Sequence, residues 1–249
     1  MGIYGGPYVI RDSSLVLELD AADINSYVGS GTVWNDLTGN SFNATMTGTI
    51  AYSGSFPGYF GYISGSNNYF RGNSNLTGSV INGVTIMSWV SMRDISKRGF
   101  VFNKYSTGSL PGYILEIGTV PGSWTNIIRF FARGTSAVAS SDYRSANNVI
   151  SQNTIINVSV TYDYASKITA IYLNGIPLSG SQVGGVQSSV DSDWYKSVVF
   201  FSMGSLRESG GVGDYDSPMN QYNLIVYSRA LSQAEILQNY NAQKSRFGL

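Results

Sequence analysis

The chain has 249 residues, of which 43% are hydrophobic and only 12% charged, about half the usual charged share. Its 15 Lys and Arg balance 15 Asp and Glu, so nothing steers it toward nucleic acid or an anionic membrane, and neither is expected as a partner. It has no Cys and no His, which excludes disulfides, zinc fingers, Cys nucleophiles, Ser-His-Asp triads and His-ligated metals.

What remains is chemistry on oxygen. A metal would take oxygen ligands, with Ca²⁺ the leading candidate, and acid–base work would fall to carboxylates, Tyr and Lys. A charge-poor surface is expected to be buried in part against partners, because charge normally limits association. The opening MGIYGGPYVIRDSS holds no apolar run of signal-peptide length. No stretch reaches the roughly 20 apolar residues of a membrane span.

Residues 1–13 read as an N-terminal arm. A strand is expected over 15–20, LVLELD, where Glu18, Asp20 and Asp23 have the spacing E-x-D-x-x-D. Two carboxylates on one strand face are what a retaining glycosidase needs. The competing reading is an Asp that ties down a loop where the strand ends. Alternation puts Glu18 and Asp20 on one face and residue 23 on the other, unless a bulge intervenes. Ala21-Ala22 reads as the strand's end, which favours the structural role.

Trp34-Asn35-Asp36-Leu37-Thr38-Gly39-Asn40 follows. Trp34, Asp36 and Asn40 are candidate carbohydrate ligands, since an aromatic face suits the C–H side of a sugar and polar side chains hold its hydroxyls. The same residues also fit a turn closed by side-chain-to-backbone bonds, with Trp34 packed beneath.

Further strands are expected at 59–63, 84–92, 99–105, 112–118, 126–132, 155–162, 197–204 and 220–227, punctuated by 29 Gly. Trp89, inside VTIMSWV, reads as core. Trp124 (VPGSWTN) and the pair Trp194 and Tyr195 (DSDWYK) lie next to turns and are further candidates for a sugar platform or a protein contact. Arg129 and Arg133 flank Phe130-Phe131-Ala132 in a pattern that reads as an edge strand protected by charge. In IINVSVTY, Ile156, Val158, Val160 and Tyr162 point one way, and Asn157, Ser159 and Thr161 the other. Asn174-Gly175 predicts a tight hairpin between 167 and 178. Asp214 and Asp216, in a Gly-rich loop, are either Ca²⁺ ligands or part of a solvated loop. Beyond that Ca²⁺, no cofactor is expected.

One helix is expected, near the end. Ser232 is its N-cap and Glu235 completes a capping box. Leu231 and Ile236 stand at the hydrophobic-staple positions, and Ile236, Leu237 and Tyr240 form an apolar stripe. With no linker in view, the chain reads as one domain, 14–243, with a tail at 244–249.

Four segments in order carry a resemblance: LVLELDAADINSYVGSGTVWNDLTGNSFNATMTG, VTIMSWV, ITAIYLNGIPL and NLIVYSRALSQAEI. Together they resemble the concanavalin A-like lectin/glucanase superfamily, in its laminin-G-like branch. The resemblance implies an all-β, two-sheet antiparallel β-sandwich, a concanavalin A-like jelly roll with one short C-terminal helix. EILQNYNAQKSRFGL, taken with GSGTVWNDLTGN, resembles modules of this type in virion proteins of tailed bacteriophages. What that implies is a non-enzymatic structural protein on the virion surface, made in the bacterial cytoplasm. It would be a head decoration or fibre, or a tail or baseplate component. Its partners would be capsid or tail proteins and copies of itself, and its loops would bind host-surface or environmental glycans. A dedicated lectin or receptor-binding adhesin is the alternative, and a glycan hydrolase using Glu18 and Asp20 a third.

The sequence also departs from these families. The glucanases carry E-x-D-x-x-E well inside the chain, whereas this strand comes first and ends in Asp23. An acidic Phe-Asp-Gly-x-Asp-Asp-Tyr stretch of the relatives is here Tyr62-Ile63-Ser64-Gly65-Ser66-Asn67-Asn68-Tyr69, whose neutral side chains hold Ca²⁺ less well.

Overall fold

A computed structural model of the chain describes residues 8–63, 68–72, 76, 82–104, 112–120, 124–133, 139–183, 200–205, 207–208, 211–212 and 217–249. In chain order the strands are β1 (Leu15–Asp20), β2 (Val33–Trp34), β3 (Ala44–Thr47), β4 (Ile50–Ser53), β5 (Tyr59–Tyr62), β6 (Tyr69–Gly72), β7 (Gly83–Met92), β8 (Arg98–Lys104), β9 (Gly112–Val120) and β10 (Trp124–Arg133). They continue with β11 (Ala139–Ser145), β12 (Ile156–Asp163), β13 (Thr169–Leu173), β14 (Ile176–Leu178), β15 (Gly180–Gln182), β16 (Phe201–Met203), β17 (Arg207–Glu208), β18 (Gly211–Val212), β19 (Met219–Gln221) and β20 (Asn223–Tyr227). Helix α1 (Gln233–Gln243) runs into a 3₁₀ turn, Lys244–Phe247.

Eighteen of these strands form two nine-stranded antiparallel sheets, the sandwich that the alternating pattern predicts, and β17 and β18 pair separately. The first runs β14-β13-β12-β7-β19-β5-β4, with β20 between β7 and β1. The second runs β15-β11-β10-β9-β8-β16-β6-β3-β2. Ile156, Val158, Val160 and Tyr162 of β12, Leu17 and Leu19 of β1, and Leu115, Phe130 and Phe201 of the second sheet meet in one apolar core between them. Asn174 and Gly175 take φ of 52° and 76°, the left-handed pair that a two-residue hairpin needs. The stretch expected at 220–227 is two strands. Tyr222 interrupts it, and its N–H donates to the Trp89 carbonyl.

The centre of the first sheet, β7, β12 and β20, is buried on both faces. All ten residues of β7 are buried, and so are Asn157, Ser159 and Thr161, on the face of β12 opposite its apolar row. Chain ends supply the cover. Met87, Ile225 and Tyr227 pack outward against Leu231 and Ile236 of the helix entry and against Val9 and Ile10 of the arm. The Trp89 ring stacks on Phe247 at 4.0 Å and on Tyr240 at 5.5 Å, and its Nε1 donates to Gln243 Oε1 at 2.8 Å. Trp89 is therefore core, but of a second core outside the sandwich.

Sequence and structure agree on the helix start. The Ser232 side chain accepts from the Glu235 N–H, and Glu235 Oε2 accepts from the Ser232 N–H at 2.7 Å. The stripe is different. Ile236 is buried, but Leu237 faces solvent and Asn239 takes the inward place. A polar residue is tolerated there because both ends of its amide are used. Asn239 Oδ1 accepts the Ile10 N–H at 2.8 Å, and its Nδ2 donates to the Tyr227 hydroxyl at 2.9 Å. The Tyr227 hydroxyl in turn donates to the Ile10 carbonyl at 2.8 Å.

The edge-strand reading of Arg129 and Arg133 is corrected. β10 lies inside its sheet, between β9 and β11, and the Arg129 guanidinium is held by Glu116 and Asp142 rather than by water. Ser232→Ala removes half of the capping box and is expected to cost about 1 kcal/mol in chemical denaturation.

Candidate functional site

Because Leu17 and Leu19 point into the sandwich, Glu18 and Asp20 stand on the outward face of β1. Each meets an arginine from one chain end. Glu18 Oε1 accepts from Arg11 Nη2 of the arm at 2.7 Å. Asp20 Oδ2 accepts from Arg246 Nη1 of the 3₁₀ turn. Arg246 also reaches the Pro57 carbonyl through Nε at 3.2 Å and Nη2 at 2.6 Å, so one guanidinium joins β1, the tail and the 54–58 loop. Glu18 is only 6% exposed, and its Oε2 has no hydrogen-bond partner. Burial pushes its carboxyl above the usual carboxylate range, and the Arg11 charge offsets this only in part.

Asp23 lies past the strand's end, where alternation no longer applies. It borders the same space as Asp20, contrary to the expectation that it falls on the other face. Asp23 Oδ1 accepts the Asn25 N–H at 2.8 Å, and the Asp23 carbonyl accepts from the Ser26 and Tyr27 N–H groups, which makes a tight turn. The facing loop, SFPG, comes close only because residue 58 is glycine. Its φ is +65°, and a Cβ there would sit 3.0 Å from Ala22 Cα and Cβ.

Between these two loops lies an open cleft of about 450 Å³, lined by Asp20, Ala22, Asp23, Ile24, Phe56 and Arg246. Phe56 is 75% exposed and Ile24 65%, a conspicuous pairing of large apolar side chains with water. Two carboxylates and a guanidinium thus stand beside an unburied aromatic ring. Such a site offers an apolar face to a sugar ring and charged acceptors and donors to its hydroxyls.

The carbohydrate candidates are distributed differently. Trp34 is fully buried, its ring 4.6 Å from Phe60 and 5.2 Å from Phe70, so neither face is open to a ligand. Asp36 accepts the Glu18 N–H at 3.0 Å, the Thr38 N–H at 3.1 Å, the Thr38 hydroxyl at 2.7 Å and the Phe42 N–H at 3.2 Å. Asn40 Nδ2 donates to the Val16 carbonyl at 3.1 Å. These three residues lock a loop onto β1, the competing reading of the motif. Trp124 is half-exposed at the start of β10. Trp194, Tyr195, Asp214 and Asp216 lie outside the described residues. Among the described residues, no three His, Cys, Asp or Glu side chains cluster as metal ligands would.

Phe56, Ile24 and Arg246 were not anticipated. SGSFPGY did carry a signal, an aromatic residue placed in a turn between Gly and Pro-Gly. For Arg246 there was none, because its partners are 189 and 226 residues away.

No known family profile and no curated protein matches the chain. Solved structures do match. The Trypanosoma rangeli sialidase in complex with 2,3-difluorosialic acid is 16% identical over 98% of this chain and 36% of its own, with a TM-score of 0.61. The receptor-binding domain of botulinum neurotoxin type G is 14% identical over 93% of this chain and 52% of its own, at 0.63. The binding domain of botulinum neurotoxin DC in complex with SialylT is 15% identical over 94% and 52%, at 0.65. This chain spans about a third to a half of those chains, and at such identity the likeness is one of fold. That fold occurs within the chain of an enzyme and in binding domains.

Two outcomes test the roles assigned here. Asp36→Ala strands several N–H groups and is expected to cost about 2–3 kcal/mol in denaturation. Glu18 contributes stability fully below its unfolded pKa and loses it as pH rises through its raised folded value. Melting curves of the native chain and Glu18→Gln, taken from pH 7 down to the unfolded Glu range at about pH 4, are therefore expected to differ. The native chain gains stability from this group on acidification, and Glu18→Gln lacks that gain.

Proposed function

We propose that this chain is a non-enzymatic, lectin-like binding module that takes a glycan in the cleft between the 22–25 and 54–58 loops. The observation that carries the reading is Phe56, held exposed above Asp20, Asp23 and Arg246. A monomeric surface has little reason to show an aromatic ring over a polar cleft unless something covers it. Cleft volume fits a saccharide of a few rings. The solved structures of like fold include proteins in complex with 2,3-difluorosialic acid and with SialylT, which supports a saccharide as the ligand class, while the charge of this cleft favours a neutral one over an acidic one.

Against catalysis stands the placement of the acids. A retaining glycosidase needs one carboxyl that is protonated at working pH and two that face the bond to be cut. Glu18 has the raised pKa, but it is closed off beneath the arm, and Asp20 is neutralised by Arg246.

The setting we propose is display on a tailed-phage particle, as a head decoration or fibre or as a tail or baseplate component. It rests on the resemblance of the closing motif EILQNYNAQKSRFGL and of GSGTVWNDLTGN, and a free receptor-binding lectin is its rival. Mass spectrometry of purified particles separates the two, since a free lectin is absent from them.

Binding is tested on a glycan array followed by titration. Phe56→Ala and Asp23→Asn are each expected to weaken the best ligand about tenfold, near 1.4 kcal/mol, with unchanged melting temperature. Unchanged affinity in both variants would reject the cleft. Turnover of a polysaccharide, lost in Glu18→Gln, would reject the non-enzymatic reading.

A further inference from the structure

The second sheet carries a row of charge that neither the chain-end clamps nor the cleft uses. Register sets Glu116 opposite Arg129, and Arg129 opposite Arg144, on the face turned away from the core. Arg98 Nε donates to Glu116 Oε2 at 2.9 Å, and Arg129 Nη1 to Glu116 Oε1 at 2.6 Å. Arg129 grips Asp142 with Nε at 2.7 Å and Nη2 at 2.9 Å, and Arg144 grips the same carboxylate with Nε at 2.9 Å and Nη2 at 2.7 Å. The chain has 15 acidic and 15 basic side chains, and five of them meet here.

Their environment makes the row costly. The three guanidiniums are 12–15% exposed, Asp142 is 10% and Glu116 is fully buried. Burial pushes the Asp142 carboxyl up, but the hydrogen bonds from Arg144 and Arg129 outweigh it and hold it below the usual carboxylate range. Among these five described groups guanidiniums outnumber carboxylates three to two, in a partly dry setting where net charge is expensive. Both oxygens of each carboxylate are already engaged, whereas donors remain. Among the described residues Arg144 Nη1 has no hydrogen-bond partner, and it is not closed off from solvent.

The neighbourhood of Arg144 has the parts of a ligand site. Its guanidinium lies over one face of the half-buried Trp124 ring, 4.9 Å from the centroid. Thr125 and Asn147, joined at 3.1 Å, add neutral donors and acceptors at the solvent edge.

We propose that the Arg144 end of this ladder, beside Trp124, binds the carboxylate of an acidic saccharide such as a uronate. A planar carboxylate matches the open edge of a guanidinium. The part of the indole that the guanidinium does not cover gives a sugar ring an apolar surface. An acidic peptide shares the carboxylate but not the ring, so the saccharide is the ligand that uses both features. This site stands apart from the cleft and does not rest on it. The cleft holds two carboxylates and one guanidinium, and so disfavours an anion.

The test is calorimetric titration of the full chain with hexagalacturonate and with its methyl ester, in which the carboxylates are capped. The acid is expected to bind at least tenfold tighter than the ester, and more weakly as salt rises. Arg144→Gln and Trp124→Ala are each expected to lose that preference while retaining a cooperative melting transition. Trp124→Ala leaves every ion pair in place and so guards against a folding artefact in Arg144→Gln. Arg71→Gln is expected to leave the affinity unchanged, because Arg71 lies elsewhere on the same sheet, over Phe200. Equal binding of acid and ester would overturn the site while remaining compatible with a glycan in the cleft. Acid binding unaffected by Arg144→Gln, equal binding of poly-glutamate, or no binding of the acid would also overturn it.

Discussion

A sheet buried on both faces needs a cover, and here the two chain ends provide it. β7 has no solvent-facing residue, so its outward row of Thr85, Met87, Trp89 and Ser91 must be packed by something beyond the second sheet. The Trp89–Phe247 stack and the Ile10 backbone, bracketed by Asn239 and Tyr227, are that packing. The acids of β1 act within it. Glu18 receives the arm through Arg11, and Asp20 receives the tail through Arg246. Arg229 adds a third tie, reaching Asp12 at 2.9 Å and Glu235 at 2.7 Å. These hydrogen bonds hold the Glu235 carboxyl down to about 2, so this tie persists through any ordinary pH.

The cleft is a consequence of the same arrangement. Arg246 can line it only because the tail has crossed the sheet to reach Asp20 and the Pro57 carbonyl. The loops on either side are set by local chemistry: the Asp23 turn on one and the left-handed Gly58 on the other. Scaffold rigidity and loop-borne polarity thus meet at one end of β1, the usual division of labour between a β-sandwich and its loops. The two candidate ligand sites differ in sign, with more carboxylates than guanidiniums at the cleft and the reverse at the Arg144 ladder.

How much of this was legible depended on how local its cause was. The capping box at Ser232, the Asn174-Gly175 hairpin and the inward row of β12 follow from residues a few positions apart, and the sequence displayed them. That the outward row of β12, Asn157, Ser159 and Thr161, is buried was not legible, because these side chains are polar and nothing nearby announces that the sheet is covered on that side. Asn239 broke the helical stripe for the same reason, since its partner is Ile10. Trp34 and Asp36 invited a sugar because their types suit one. Packing distance from Phe60 and saturation by backbone N–H groups decided otherwise, and neither is written in a seven-residue motif. The ladder was hidden by distance along the chain. Arg98, Glu116, Arg129, Asp142 and Arg144 sit on four strands, and only alternating positions of charge in a charge-poor chain marked them.

The central claim is that the carboxylates of β1 hold the chain ends in place. A double-mutant cycle on Asp20 and Arg246, with Asp20→Asn, Arg246→Gln and the pair compared by chemical denaturation, measures it most directly. The account predicts a coupling of about 1 kcal/mol or more between these two mostly buried partners. Additive effects, with coupling below ~0.3 kcal/mol, would show that Asp20 does not anchor the tail and would return it to the list of groups free for other chemistry.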